Sequence, residues 1–153
     1  VAIRVEDLTF ELDGLRVHLP RSKTDPEGRG EVVPVIRGQQ TCPVRALSTW
    51  LKRAGMTNGP VFVRFNRAGS IQPEAGLSPQ TVALIIKWYA FKAGFDHRLY
   101  AGHSLRRGFA TQAAMNGATP YKLRAVTRQT LATLQDYIDD AEAFVEHAGR
   151  YML

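Results

Sequence analysis

The alternation of apolar and polar positions near the start of the chain predicts a small antiparallel sheet. In LTFELDGLRVHLPR, apolar residues recur at every second position on both sides of Asp13-Gly14, which is a strong hairpin signal. After the polar stretch RSKTDPEGRG, the run EVVPVI is typical of a third strand. Pro34 favours an edge position for this strand because proline has no amide proton to donate. The first 36 residues are therefore predicted to form three antiparallel strands.

From Pro43 onward the apolar spacing changes to three and four residues, which predicts a helix that ends at Gly55. A short strand, PVFVRF, and a loop, NRAGSIQPEAG, are predicted next. Further helices are predicted over SPQTVALIIKWYAFKAG, from about Ser104 to Met115, from Pro120 to about Val126, and within TLATLQDYIDDAEAFVEHAG. The predicted fold class is α+β, mainly helical with a small three-stranded sheet near the N-terminus, in one domain covering residues 1–153.

Several side chains are assigned structural roles by this pattern. Ser78 and Thr119 precede prolines at predicted helix starts and are interpreted as N-caps. The aromatic residues Trp50, Trp88 and Tyr89 lie at helical core spacing and are predicted to pack rather than to stack on bases. Cys42 is the only cysteine, which excludes an internal disulfide, and it is interpreted as a small core residue.

The composition is that of an ordinary globular protein and narrows the location. Hydrophobic residues make up 44% of the chain and charged residues 22%, and no run of about 18 apolar residues is present to span a bilayer. The first residues lack the basic and then apolar pattern of a secretion signal. We therefore expect an intracellular, cytoplasmic protein with no membrane partner.

The positive charge is concentrated in the middle of the chain. Residues 87–128 carry eight basic and one acidic side chain, whereas residues 129–153 carry one basic and five acidic ones. Such a block is either a solvated face or a surface that follows a phosphate backbone. On the second interpretation, the candidates for sequence-independent contacts with double-stranded DNA are Lys87, Lys92, Arg98, Arg107, Lys122 and Arg124.

The motif search excludes several classes of enzyme. The chain has no GxxxxGK[ST] loop, no glycine-rich dinucleotide loop and no HExxH motif. The four histidines are scattered, and the basic block contains a single carboxylate, Asp96, where a magnesium-dependent nuclease would need several. We therefore expect any chemistry on phosphate to proceed without a metal or another cofactor.

Five cationic or nucleophilic side chains remain as candidates for that chemistry. Guanidinium forks stabilise the charge that gathers on phosphate oxygens during displacement, a role suited to Arg106, His103 nearby and Arg128. A buried arginine without an acid would be costly unless an anion arrives, and no carboxylate lies between His103 and Arg106. Tyr137 is a candidate nucleophile, and Lys23 on a polar loop is a candidate proton donor for the leaving oxygen.

Three strings in the chain resemble a known family. RSKTDPEGRG after a strand, GHSLRRGFAT and TLATLQDYI are similar to the lysine loop, the His-x-x-Arg box and the tyrosine box of the tyrosine recombinase (phage integrase) catalytic domain. An HxxR motif alone occurs by chance, but three boxes in the family's order and at suitable separations are specific. The resemblance runs over residues 4–147, which is nearly the whole chain.

The resemblance implies a role for each matching residue. Tyr137 would form a 3′-phosphotyrosyl link and release a 5′-hydroxyl, which Lys23 would protonate, while Arg106 grips the phosphate and His103 assists. The implied function is site-specific DNA recombination, such as integration, by DNA breaking and rejoining without ATP. The family also implies self-association on DNA in a tetrameric synapse, with the segment DDAEAFVEHAGRYML docking on a neighbouring protomer.

Two departures from the family pattern keep other functions open. The family's first catalytic arginine would fall about ten positions before Val1, so we expect a chain truncated at its N-terminus that also lacks the core-binding domain. Arg128 stands where the family usually has His or Trp, and an arginine can donate to a phosphate but cannot act as a neutral base. The alternatives are a non-catalytic DNA-binding remnant and a type IB topoisomerase relative.

Overall fold

In the computed structural model, which describes residues 2–20 and 30–142, the chain forms a sheet unit (Val1–Ser78) and a helical unit (Pro79–Leu153). Side chains are described as far as residue 139. The fold class is α+β, as predicted. None of the described helices is long and apolar enough to cross a membrane.

The predicted three-stranded sheet is confirmed at the start of the sheet unit. Strands β1 (Leu8–Phe10), β2 (Gly14–Leu19) and β3 (Glu31–Ile36) pair antiparallel in the order β1-β2-β3. Gly14 lies against the next strand, where an added Cβ would clash with the Val35 carbonyl group. Pro34 faces Arg16 on the edge strand β3, as its missing amide proton predicts.

Helix α1 (Pro43–Ala54) covers one face of this sheet and ends at Gly55, which adopts the left-handed conformation with φ 63°. Val44 of the helix packs with Leu15 and Val17 of β2 in the core of the unit. Cys42 is half-buried at the N-cap of α1, where its sulfur accepts the Arg45 amide proton at 3.4 Å. The interpretation of Cys42 as a purely packed core residue was therefore incomplete, and the Arg45 amide lowers the pKa of its thiol.

A second small sheet corrects the prediction of a loop over residues 66–76. Strands β4 (Val63–Phe65) and β5 (Ile71–Gly76) form an antiparallel hairpin, and Asn66 closes the turn by accepting the Ser70 amide proton at 2.8 Å. The pairing shifts register between Val63 and Arg64, which accommodates the proline-containing segment of β5. Strand β5 was not predicted because its sequence contains glycine and proline, which are typical of turns.

The described part of the helical unit contains four α-helices, and all four were predicted. They are α2 (Pro79–Lys92), α3 (Gly102–Met115), α4 (Pro120–Thr127) and α5 (Leu131–Glu142). Thr119 caps α4 as predicted, since its hydroxyl accepts the Lys122 amide proton. Helices α3, α4 and α5 share a core formed by Ala110, Ala114, Leu123, Leu134 and Ile138.

The prediction of core aromatic residues was right in the sheet unit and wrong in α2. Trp50 is half-buried and donates its indole proton to the Val61 carbonyl at 2.8 Å. Trp88 and Tyr89 of α2 are 50% and 63% exposed. Apolar residues surround α2 on all sides, so their spacing does not define the single face that would be buried.

Candidate functional site

Tyr137 lies on α5 at the margin of the helical core. Leu134 and Ile138, which lie on the same face of the helix, are buried at 0% and 7% exposure and fix α5 against α3 and α4. The tyrosine ring packs against this core and is itself half-buried. Its position is therefore set by the packing of the three helices rather than by a loop.

Two polar side chains contact Tyr137. The Gln129 amide nitrogen Nε2 donates to the Tyr137 hydroxyl oxygen at 3.3 Å. The Arg107 guanidinium carbon lies 5.7 Å from the centroid of the tyrosine ring, which is within the range of a cation–π interaction. Both the ring and the hydroxyl oxygen are thus held by side chains from outside α5.

The His-x-x-Arg box forms the start of α3. The helix begins at Gly102, and the Ser104 hydroxyl accepts the Ala101 amide proton at 3.0 Å and donates to the Leu99 carbonyl at 3.3 Å. His103 and Arg106 follow this capped start, three residues apart on the exposed surface of the helix. Arg106 is exposed, because the first turns of α3 project beyond the shared core, which starts at Ala110. Both side chains are accessible to an anion.

Arg128 ends α4 in an unusual backbone conformation. Its φ of 59° is the only positive value among the non-glycine residues that the structure describes. The conformation closes the helix, because the Arg128 amide donates to the Arg124 carbonyl at 2.9 Å, but a residue with a Cβ is strained there by about 1 kcal/mol. Glycine is the usual residue at such a position, whereas here the position holds a half-buried arginine side chain at a backbone cost.

The packing of α3 against α5 brings two of the three predicted boxes together. Arg107 of the His-x-x-Arg box contacts Tyr137 of the tyrosine box directly. Arg128 lies beside Gln129, which binds the tyrosine hydroxyl. Lys23, predicted as the proton donor, lies outside the described residues, and so does most of the predicted docking segment at the C-terminus.

Gln129 is a site residue that the sequence did not reveal. A polar residue just before a helix is ordinarily a solvated or capping side chain, and nothing in the spacing distinguishes it from those. Its location becomes evident only from the structure, where Thr127 accepts the Gln129 amide proton at 3.4 Å and donates to the Leu123 carbonyl at 2.9 Å.

The remaining basic candidates lie on the helical unit, and one of them is neutralised by an acid. Lys92, Lys122 and Arg124 are exposed and Lys87 is half-buried. Arg98 forms a fork with Asp96, with nitrogen to oxygen distances of 2.9 and 2.8 Å. The Arg98 hydrogen bonds lower the pKa of the Asp96 carboxyl, and the same pairing raises the pKa of Arg98. Arg98 therefore presents less net charge than the sequence suggested.

No group of three or more His, Cys, Asp or Glu side chains is placed to hold a metal ion within residues 2–20 and 30–139. The described structure does place one cation, Arg107, against the Tyr137 ring.

The chain was compared with family models and with known proteins. No family model matches the chain. Over 151 residues, 97% of its length, the chain is 39% identical to an integrase/recombinase xerD homolog from Selenomonas ruminantium. The chain spans 44% of the length of that relative. The match therefore includes both boxes described above and the lysine loop.

Proposed function

Because this chain belongs to the tyrosine recombinase family, we propose that it cleaves and rejoins DNA strands through a covalent link to Tyr137. The observation that supports this most strongly is the packing of α3 against α5, which brings the arginine box next to the tyrosine. A half-buried tyrosine alone would be ordinary. Here the tyrosine lies on α5 beside Arg107, and several lysines and arginines of the helical unit are exposed.

The proposed reaction is an in-line displacement at phosphorus. The Tyr137 hydroxyl gives its proton to solvent water, and its oxygen forms a bond with phosphorus while the bond from phosphorus to the 5′ oxygen breaks, which leaves a 3′-phosphotyrosyl link. Arg106, His103 and Arg128 donate hydrogen bonds to the non-bridging oxygens, on which negative charge accumulates. Lys23 supplies the proton that the departing 5′ oxygen takes up. A 5′-hydroxyl can later attack the same phosphorus and release the tyrosine.

Binding to double-stranded DNA is the second part of the proposal. The exposed lysines and arginines of the helical unit contact backbone phosphates and displace condensed counterions, which makes binding sensitive to salt. Exchange of strands between two DNA sites requires self-association on DNA. The acidic C-terminal segment DDAEAFVEHAGRYML, which starts at Asp139, is the candidate for a docking contact between protomers.

A trapping experiment tests the covalent step. DNA carrying a nick close to the cleavage position loses a short fragment after attack, so the protein remains attached and migrates slowly in a denaturing gel. Tyr137→Phe is expected to abolish this adduct and to leave DNA affinity within about twofold of wild type, because one aromatic hydroxyl contributes little to phosphate binding. Tyr121→Phe is the matched control, since Tyr121 lies on α4 with 74% exposure and should leave the adduct unchanged.

The outcomes separate the alternative functions. Adduct formation by Tyr137→Phe would contradict the assignment of the nucleophile. DNA binding that weakens steeply with salt, without any adduct from the wild-type protein, would support a non-catalytic DNA-binding remnant. Relaxation of supercoiled plasmids that lack a target site would support a relative of the type IB topoisomerases.

A further inference from the structure

Tyr137 is contacted by two side chains that have no assigned part in the proposed displacement. Gln129 lies in the short segment between α4 and α5, and Arg107 lies on α3. One contacts the hydroxyl oxygen and the other the ring. Contacts from two different directions restrict both the rotation of the ring and the position of its oxygen.

The Gln129 side chain is oriented by its surroundings. Its Nε2 donates to the Tyr137 oxygen at 3.3 Å, while its Oε1 is buried and has no partner among the described residues. If the side-chain amide were turned around, its oxygen would face the Tyr137 hydroxyl and its NH₂ group would take the buried position that has no partner. Two unpaired N–H donors would cost more free energy than one unpaired acceptor. The backbone at this residue is also fixed, because the Gln129 backbone N–H donates to the Thr127 hydroxyl oxygen. The geometry therefore favours an N–H donor aimed at the tyrosine oxygen.

Arg107 adds positive charge on the ring side. Its guanidinium carbon lies 5.7 Å from the ring centroid, where the negative face of an aromatic ring attracts a cation. The N–H donor and the cation therefore contact two different parts of the same side chain, its oxygen and its ring. Together the two contacts fix the direction in which the Tyr137 oxygen points.

We propose that Gln129 and Arg107 are positioning residues that clamp Tyr137 and hold its oxygen for attack on the phosphorus. This inference rests on the proposed function and deepens it. It gives Arg107 a role beyond the DNA contact predicted from the sequence, and it gives Gln129 a role that no sequence signal indicated.

Three substitutions of Gln129 separate a donor from a packing role. Gln129→Lys retains an N–H donor of similar reach, Gln129→Leu removes the donor at similar volume, and Gln129→Glu puts an anionic acceptor beside the oxygen. When the rate of adduct formation is measured, we expect the Lys variant to react faster than the Leu variant and the Leu variant faster than the Glu variant. Loss of one donor is expected to slow the reaction about tenfold, with DNA affinity within about twofold. Gln135→Leu is the matched control, since Gln135 is exposed on α5 and bonds Asp139 instead.

Arg107 is tested in the same assay by a pair of substitutions. Arg107→Lys keeps a cation that can lie over the ring, whereas Arg107→Gln removes the charge. If Arg107 positions the tyrosine ring, Arg107→Lys should form the adduct at most of the wild-type rate, whereas Arg107→Gln should be slower, with both rates measured at saturating DNA. Equal loss in the two variants at saturating DNA would overturn the role of the cation.

A spectroscopic measurement reports the contact without requiring activity. In protein labelled with 3-fluorotyrosine, the fluorine next to the hydroxyl senses its hydrogen bonds, and Tyr137→Phe identifies the resonance of residue 137. Gln129→Leu and Arg107→Gln are expected to move this resonance, and Gln135→Leu is expected to leave it in place. An unmoved resonance would overturn the clamp.

The two readouts distinguish failure of the clamp from failure of the proposed function. If the wild-type protein forms no adduct, the proposed function fails, and the role of the clamp in attack fails with it. If the wild-type protein forms an adduct and Gln129→Leu reacts at least as fast as Gln129→Lys, Gln129 only packs and the clamp is wrong. A slower Leu variant with a shifted resonance supports the clamp.

Discussion

At the scale of single residues, Arg128 combines a strained backbone with a charged side chain. It is held with φ at 59°, where glycine would be relaxed, and it lies next to the residue that binds the Tyr137 oxygen. A strained position that keeps a charged side chain indicates a role for that side chain. The family usually has His or Trp at the matching position, so this chain is expected to use a permanent cation there.

Arg128→Gly should therefore separate stability from activity. Relief of the left-handed strain is expected to raise the free energy of unfolding of the helical unit by about 1 kcal/mol, while adduct formation falls at least about tenfold because a phosphate donor is lost. Urea denaturation and the trapping assay measure the two effects. Arg124→Gly is the control, since glycine within α4 should lower the unfolding free energy by about 1 kcal/mol. A less stable Arg128→Gly protein would show that the side chain supports the fold.

Sequence reasoning at this scale proposed residues that have a chemical signature and did not propose Gln129, which has none. Tyr137, His103 and Arg106 were identifiable because their residue types and order match a family motif. The exposure of Arg106 was not predictable, because the start of α3 extends beyond the core only once α4 and α5 are packed. Gln129 was missed because its partner depends on tertiary contacts rather than on spacing.

At the scale of elements, α5 carries the tyrosine and is anchored by Leu134. Leu134→Ala removes a side chain with 0% exposure between α3, α4 and α5, and such truncations cost about 2–5 kcal/mol. We expect a lower unfolding free energy by urea denaturation and a loss of adduct, because Tyr137 is positioned through the same core. Leu105→Ala, on α3 with 58% exposure, should change the unfolding free energy by less than about 0.5 kcal/mol. Equal effects of the two variants would contradict the described core.

The elements themselves were largely predictable, for identifiable reasons. Asp13-Gly14 determined the first hairpin, and Gly55 and Thr119 marked helix ends, because each satisfies a local backbone requirement. Strand β5 was not predicted, since its turn residues and Pro73 read as a loop when the register shift that admits them is unknown. The core role of Trp88 failed because spacing alone cannot select a face on a helix that is apolar on all sides.

At the scale of the whole molecule, the distribution of charge should govern DNA binding. The chain carries a formal charge of +6, with the positive charge concentrated in residues 87–128. Asp96 is the only acid within that block, and it neutralises Arg98. Phosphate binding by Arg98 must therefore compete with the Asp96 carboxylate, to which Arg98 is hydrogen-bonded.

Asp96→Asn is expected to strengthen DNA binding at low salt by about two- to fivefold, because it releases one arginine for phosphate contact. The asparagine oxygen can still accept the Arg98 amide proton, so the local turn is retained. Fluorescence anisotropy over a range of salt concentrations measures the affinity and its salt dependence. Asp139→Asn makes the same charge change outside the basic block, on α5, and should have a smaller effect. Equal gains from both variants would show that only net charge matters.

The most direct test of the central claim identifies the residue that carries the DNA. Trypsin cleaves after Arg128 and Arg150, so Tyr137 is the only tyrosine in the peptide from Gln129 to Arg150. After trapping and digestion with trypsin and nuclease, mass spectrometry should find this peptide with a nucleotide on Tyr137. A nucleotide on any other residue, or trapped protein in which this peptide is unmodified, would contradict the account.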